Sequence, residues 1–132
     1  MAQKISKTAK DMVADALRAV ASISVDDAMA LVGSDDHVFV DLRDGTEQAK
    51  TGTIPGAVAS SRGLIEFHID PESPAHKPAL NQDKTYVFYC ASGGRSALAA
   101  QVAMEMGLDP VVNMTGGIAA WKKANGPLDR PE

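Results

Sequence analysis

The sequence predicts an α/β domain with three layers, in which a mostly parallel sheet of about five strands is flanked by helices. Three observations lead there. Short β-branched and aromatic runs alternate with stretches of helical apolar spacing. Glycine, proline and aspartate punctuate the boundaries between them. The best-defined runs are continuously apolar, as strands of a sheet covered on both faces are.

The elements follow in order. Residues 6–20 place Met12, Val13, Ala16, Leu17 and Val20 at helical spacing, with Lys7, Lys10, Asp11, Asp15 and Arg18 between them. Residues 1–20 are therefore expected to form a helical extension that packs on its own domain or pairs with a second copy. Residues 21–132 form the domain itself. Ser24-Val25-Asp26-Asp27 resembles a capping box, so a short helix is expected through Ala28–Val32, ending near Gly33. Val38–Leu42 reads as a buried strand. Asp44 caps a short helix that runs through Glu47 to about Lys50. Gly52–Gly56 is turn chemistry, and Ala57–Ala59 is a short strand. Residues 60–84 are irregular: Leu64, Ile65 and Phe67 allow one helical turn, and Pro71, Pro74 and Pro78 forbid a long helix. Thr85–Tyr89 is the clearest strand and Ser96–Met106 the clearest helix, closed by Gly107. Val111–Met114 is a last strand. Gly117–Ala124 is a last helix anchored by Trp121.

Composition narrows the function classes. A chain of 132 residues, 45% hydrophobic and 23% charged, suits one globular domain. A net charge of -4 without a basic stripe argues against nucleic-acid binding. No apolar stretch approaches the roughly 20 residues of a membrane span, and the first residues lack the apolar core of a signal peptide. A single cysteine excludes an intramolecular disulfide and a Cys-rich zinc site. A lone thiol fits a reducing compartment, so a cytoplasmic location is expected.

That cysteine, Cys90, ends the apolar run Tyr86–Tyr89 and opens the loop Ala91-Ser92-Gly93-Gly94-Arg95. A strand delivers its sulfur to a sheet edge. Two glycines let the loop curl with N–H groups inward, and the following helix begins with its own unpaired N–H groups at the same spot. An ordinary cysteine is only about 3% thiolate at pH 7. A shift of about two units makes it mostly thiolate and needs about 2.7 kcal/mol, which such a cradle can supply. The alternative is a buried structural thiol, a common fate of free cysteine. It does not account for two glycines and an arginine directly after the sulfur. Asp41, Arg43, Thr115 and Gly116 follow other strand ends on the same expected rim, where open parallel sheets bind ligands.

These segments resemble the rhodanese domain, a sulfurtransferase family, from about Ser22 to Leu128. Asp41-Leu42-Arg43 resembles the family's Asp-x-Arg strand end, and Gly52-Thr53-Ile54-Pro55-Gly56-Ala57 its Gly-His-Ile-Pro-Gly-Ala turn. Cys90 to Arg95 resembles its six-residue active loop, and Gly116–Trp121 its Gly-Gly-x-x-x-Trp ending. The resemblance implies that residues 21–132 form a rhodanese-like domain. It also implies double displacement: Cys90 takes a sulfane sulfur from thiosulfate or a persulfide, then passes it to cyanide or a thiol. Ala91, Ser92, Gly93, Gly94 and Arg95 would hold the persulfide and the bound donor. Two positions depart from the pattern. Ala91 stands where many thiosulfate users carry a cation, and Thr53 replaces the turn histidine.

The remaining candidates each have two readings. Arg95 either clamps an anionic donor or pairs with a carboxylate and shapes the loop; its fixed place in the loop favours pairing. Arg62 is a candidate pocket cation or a solvated surface residue. Asp41 and Arg43 read as an architectural pair, because a carboxylate beside a thiolate would weaken the nucleophile. His68 and His76 flank Asp70 and Glu72 but match no ligand spacing, so neither metal nor cofactor is expected. Phe67 and Tyr89 line the pocket or the core, and Trp121 belongs to the core. Three functions compete: a sulfurtransferase with small-molecule donor and acceptor, a persulfide carrier or thiol sensor docking an acceptor protein, and a cysteine phosphatase or arsenate reductase. Only four residues separate Cys90 from Arg95, a ring that favours one sulfur atom over a phosphoryl group.

Overall fold

The computed structural model describes residues 2–130; Met1, Pro131 and Glu132, the ends of the two expected segments, lie outside the described residues. Its centre is a five-stranded sheet in the order β1-β5-β4-β2-β3, with every pair parallel. The strands are Ala21–Ile23 (β1), His37–Asp41 (β2), Val58–Ala59 (β3), Thr85–Tyr89 (β4) and Val111–Met114 (β5). The helices are Ala9–Ala19 (α1), Val25–Met29 (α2), Gly45–Thr51 (α3), Ile65–Ile69 (α4), Gly94–Met106 (α5) and Gly117–Lys123 (α6). Among the described residues, no helix is long and apolar enough to cross a membrane.

Strand alternation sorts the core into two layers. Val40, Leu42, Tyr86, Phe88 and Cys90 face one side, in one cluster with Val20, Ile65 and Ile69 of α4 and Ala99, Ala100 and Ala103 of α5. Phe39, Val87, Tyr89 and Met114 face the other, against Ala28 of α2 and Ile118 and Trp121 of α6. Trp121 is fully buried, meets Phe39 edge-on at 6.0 Å, and donates its indole N–H to the Pro127 carbonyl at 2.8 Å. The run of alanines in α5 lets that helix lie close to the sheet.

Boundaries differ from expectation where local hydrogen bonds intervene. The leading helix begins after Thr8, whose hydroxyl and Asp11 form a reciprocal capping box. It packs along α5. The helix expected to follow the Ser24 cap does start at Val25, where Ser24 accepts the Asp27 N–H, but it gives way to a turn after Met29, short of the expected end near Gly33. Ala21–Ile23 was not expected as a strand. It is a short edge strand, mostly exposed, so it carries no apolar signature, and pairing with β5 creates it.

The topology fixes where a ligand can sit. The chain leaves β2 toward β3 on one side and leaves β4 toward β5 on the other. The crossovers therefore diverge between β2 and β4, and the crevice above their carboxyl ends is the ligand position of such sheets. Asp41 ends β2 there. Its carboxylate takes Arg43 Nε at 3.0 Å and Nη2 at 2.7 Å, and both side chains are buried. Arg43 also donates to Thr51 Oγ1 at 2.5 Å and the Gly52 carbonyl at 2.8 Å. Burial disfavours the guanidinium charge, but Asp41 outweighs it and holds Arg43 above its usual value. Asp41→Ala leaves that cation buried without a counter-charge. The expected loss is about 3–5 kcal/mol in urea unfolding; a loss under about 1 kcal/mol would refute the buttress role.

Candidate active site

Cys90 directly follows the central strand β4, and the pleat points its side chain toward α5. The residue is 1% exposed. Gly93 has φ +112°, the left-handed backbone that turns the loop, and α5 begins at the next residue. The turn aims donors at the sulfur. Gly93 N–H donates to Sγ at 3.1 Å, and the Ser96 hydroxyl lies 3.4 Å away. Burial pushes the Cys90 thiol up. The Ser96 hydroxyl and the N–H groups of Ser96, Gly93 and Ser92 push it down and win, so the thiol sits below its ordinary value.

The loop is held from behind. Ile118 N–H donates to the Cys90 carbonyl at 2.8 Å and Ala119 N–H to the Ala91 carbonyl at 3.1 Å. This close approach requires Gly117: its φ is +60°, and a Cβ there would fall 2.5 Å from the Cys90 carbonyl oxygen. Asn113 on β5 supports both sulfur donors at once. Its Oδ1 accepts from Ser96 Oγ at 2.6 Å, and its Nδ2 donates to the Gly93 carbonyl at 3.3 Å.

Arg95 pairs with a carboxylate. Its guanidinium makes a fork to Glu47 of α3, with Nη1–Oε1 at 2.6 Å and Nη2–Oε2 at 2.8 Å. The Arg95 bonds pull the Glu47 carboxyl down to about 2, and Glu47 in turn raises Arg95. Arg62 stands on the rim, since its N–H donates to the Leu42 carbonyl at 3.1 Å. Its guanidinium bonds Glu66 at 3.2 and 3.3 Å. Ala91 contributes its carbonyl to the α6 contact, and Ser92 is exposed at the loop tip. Gly94 meets Val13 of α1. Tyr89 lies in the opposite core and accepts the Ile54 N–H at 3.1 Å; Phe67 is 55% exposed. His68 is buried against Ser60 Oγ at 2.7 Å, and His76 Nδ1–H donates to the His68 carbonyl at 2.9 Å.

Three residues of this arrangement escaped the sequence reading as site residues. Ser96 was visible only as the end of the loop motif. Asn113 gave one signal, a lone amide in an apolar strand. Glu47 looked like a helix cap, which it is, and its second role needs the fold.

With this geometry in place, the comparisons decide the lineage. The Rhodanese-like domain model matches residues 24–124. The chain belongs to the rhodanese-like family. A sulfurtransferase of Allochromatium vinosum is 34% identical over 102 residues, covering 77% of this chain and 87% of that one. The thiosulfate sulfurtransferase GlpE of Shewanella oneidensis is 32% identical over 104 residues, covering 78% and 93%. A solved structure from Rhodopseudomonas palustris, described as a protein of unknown function and possible tyrosine phosphatase, superposes with a TM-score of 0.94. It is 46% identical and covers 98% of this chain and 99% of its own. Helix α1 and strand β1 precede the stretch that the family model matches.

Two measurements check the site. Ser96→Ala removes a donor to the sulfur and should raise the Cys90 pKa. The pH dependence of iodoacetamide alkylation reads this directly, and an unchanged midpoint would remove Ser96 from the cradle. Glu47 is held below its unfolded value, so its contribution to stability is present above about pH 4.5 and fades as pH falls toward about 2. The pair is partly exposed, so the effect is under about 1 kcal/mol. Urea midpoints of wild type and Glu47→Gln should differ at pH 6 and converge near pH 2; a gap that persists at low pH contradicts the assignment.

Proposed function

We propose that this protein is a sulfurtransferase that carries sulfane sulfur as a persulfide on Cys90. One observation carries the reading: neutral donors converge on the buried Sγ, while the loop arginine is committed to Glu47. Such a cradle suits one added sulfur. The relatives from Allochromatium and Shewanella support the same class of reaction.

The step balances without a metal, cofactor or external oxidant. The Cys90 thiolate attacks the outer sulfur of the donor, and a new S–S bond forms. The donor's own bond to that sulfur breaks, and its electron pair leaves with sulfite when thiosulfate is the donor. The loop N–H groups of Ser92, Gly93 and Ser96 hold the persulfide anion. A thiophile, cyanide or a thiol, then attacks the outer sulfur and returns the electron pair to Sγ. The donor remains a small molecule, thiosulfate or a persulfide. Ala91 supplies no cation for a dianion, which favours persulfide donors.

The description of the Rhodopseudomonas relative brings phosphatase chemistry into consideration. Two features oppose it here. A phosphoryl group needs the loop arginine, and Arg95 is paired with Glu47. Its leaving group needs an acid, and Asp41 is locked in a buried bond pair with Arg43. A persulfide carrier that docks an acceptor protein shares the loading step and differs only in turnover.

Intact-protein mass spectrometry after incubation with thiosulfate, and separately with glutathione persulfide, tests the reading. One sulfur atom should be gained and then lost to cyanide as thiocyanate, and Cys90→Ser should gain none. Repeated cycles support the enzyme, and a single stoichiometric load supports the carrier. If neither donor loads Cys90 while an aryl phosphate is hydrolysed, the phosphatase reading replaces this one.

A further inference from the structure

Asn113 is the one polar side chain of β5, in the apolar run Val111-Val112-Asn113-Met114, and it is 1% exposed. A buried amide is costly unless both of its ends are paired. Both ends pair with groups around the sulfur, and the pairing fixes where each hydrogen lies. The Gly93 carbonyl can only accept, so it faces the amide nitrogen, at 3.3 Å. Oδ1 therefore faces Ser96 Oγ, at 2.6 Å. Oδ1 has no hydrogen of its own, so the single hydrogen of the Ser96 hydroxyl lies in that contact. The same hydroxyl oxygen is 3.4 Å from Cys90 Sγ. One hydrogen thus has two acceptors within reach, and the shorter contact holds it.

We infer that Asn113 is a positioning residue for the nucleophile: its Oδ1 competes with Cys90 Sγ for the Ser96 hydrogen and gives it up only when negative charge develops on the sulfur. The inference rests on Cys90 as the nucleophile of the reading above and goes beyond it. While Sγ carries its own hydrogen, it can donate to Ser96 Oγ, and the chain from S–H to Oγ–H to Oδ1 is complete. A thiolate has no hydrogen to give. Ser96 then turns its hydrogen to Sγ, and Oδ1 is left buried without a donor, which costs free energy. Asn113 therefore restrains the ionisation that the loop N–H groups promote, and Ser96 would favour it more strongly without this rival. The same exchange runs when sulfur leaves Cys90, because the electron pair of the breaking S–S bond returns to Sγ. Charged and titratable groups on the surrounding elements are engaged elsewhere. Arg95 of α5 is bonded to Glu47 of α3, Arg43 beyond β2 to Asp41, Arg62 to Glu66 of α4, Asp15 of α1 to Lys7 and Arg18, and the buried His68 of α4 to Ser60.

The test follows iodoacetamide alkylation of Cys90 against pH in the wild type, Asn113→Leu, Ser96→Ala and the double variant. Leucine keeps the approximate shape and removes both amide bonds. Freed from Oδ1, Ser96 should donate fully to Sγ, so the Asn113→Leu midpoint should fall below that of the wild type. A merely structural role has the opposite sign, since loss of the Gly93 bond loosens the loop and raises the midpoint. In the Ser96→Ala background, Asn113→Leu should no longer lower it. An unchanged or raised midpoint in Asn113→Leu, or a fall that persists without the Ser96 hydroxyl, overturns the inference. The wild type alone gives a second readout, which decides the matter if Asn113→Leu does not fold. The side-chain carbonyl carbon of Asn113, followed by NMR, should move upfield as pH rises, with the midpoint of alkylation, because Oδ1 loses its hydrogen bond. Cys90→Ala should show no such transition, which separates it from titration of His68 and of the ion pairs. A flat carbonyl signal in the wild type, or a transition that remains in Cys90→Ala, overturns the inference. Neither readout uses a sulfur donor, so a protein that fails to load sulfur refutes the sulfurtransferase reading and leaves this result legible.

Discussion

A buried cysteine thiol held below its ordinary pKa is the constraint on which this structure turns. Cys90 is almost wholly buried, and burial alone would keep its sulfur protonated. The loop outweighs that effect with dipoles: the glycine turn brings N–H groups round the sulfur, and Ser96 adds a hydroxyl, so the thiol lies below its ordinary value. The loop that carries these donors is tied down by further hydrogen bonds. Gly93 is tied through its carbonyl to Asn113, Ser96 through its hydroxyl to the same amide, and the loop carbonyls to the first turn of α6. Fixed donors lose little by reorganising when charge appears, which is what a nucleophile's pocket requires. The Ser96 hydrogen is shared between an amide oxygen at 2.6 Å and the sulfur at 3.4 Å, so its strength on the sulfur depends on how Asn113 is held.

Helix α3 connects this loop to the neighbouring strand end. It contributes no buried side chain, so apolar packing does not explain its position. Two arginines do. Arg43 reaches Thr51 and the Gly52 carbonyl at its end, and Arg95 grips Glu47 in its first turn. The same helix therefore braces the ends of β2 and β4, the two strands between which the crossovers diverge. Asp44 and Glu47 also cap each other, so one carboxylate both starts the helix and anchors the loop. Economy of this kind hides function from a linear reading.

Much of the architecture was nevertheless legible. Continuous apolar runs at β2, β4 and β5 announced buried strands, because burial on both faces leaves no polar alternation. Cys90, the glycines and Arg95 were legible because they adjoin in sequence and need only local geometry. The strand β1 was not, since an exposed three-residue edge has no pattern until β5 pairs with it. Asn113 and Glu47 were not, because their partners are 17 to 48 residues away and only the sheet order brings them together. Arg62 illustrates the opposite case. Its position on the rim was readable, while its partner, Glu66 four residues on, emerges only once α4 forms.

The cations around the rim are spoken for. Arg43, Arg62 and Arg95 each have a carboxylate of their own, in Asp41, Glu66 and Glu47. Residue 91 is an alanine and adds no charge. Attraction for an incoming anion thus comes from backbone N–H groups and the start of α5, whose influence falls off within about one turn. A field of that range stabilises charge located on the sulfur itself. It does little for charge spread over the distant oxygens of a sulfonate group. The dipoles that lower the Cys90 thiol therefore act on the sulfur and on little beyond it.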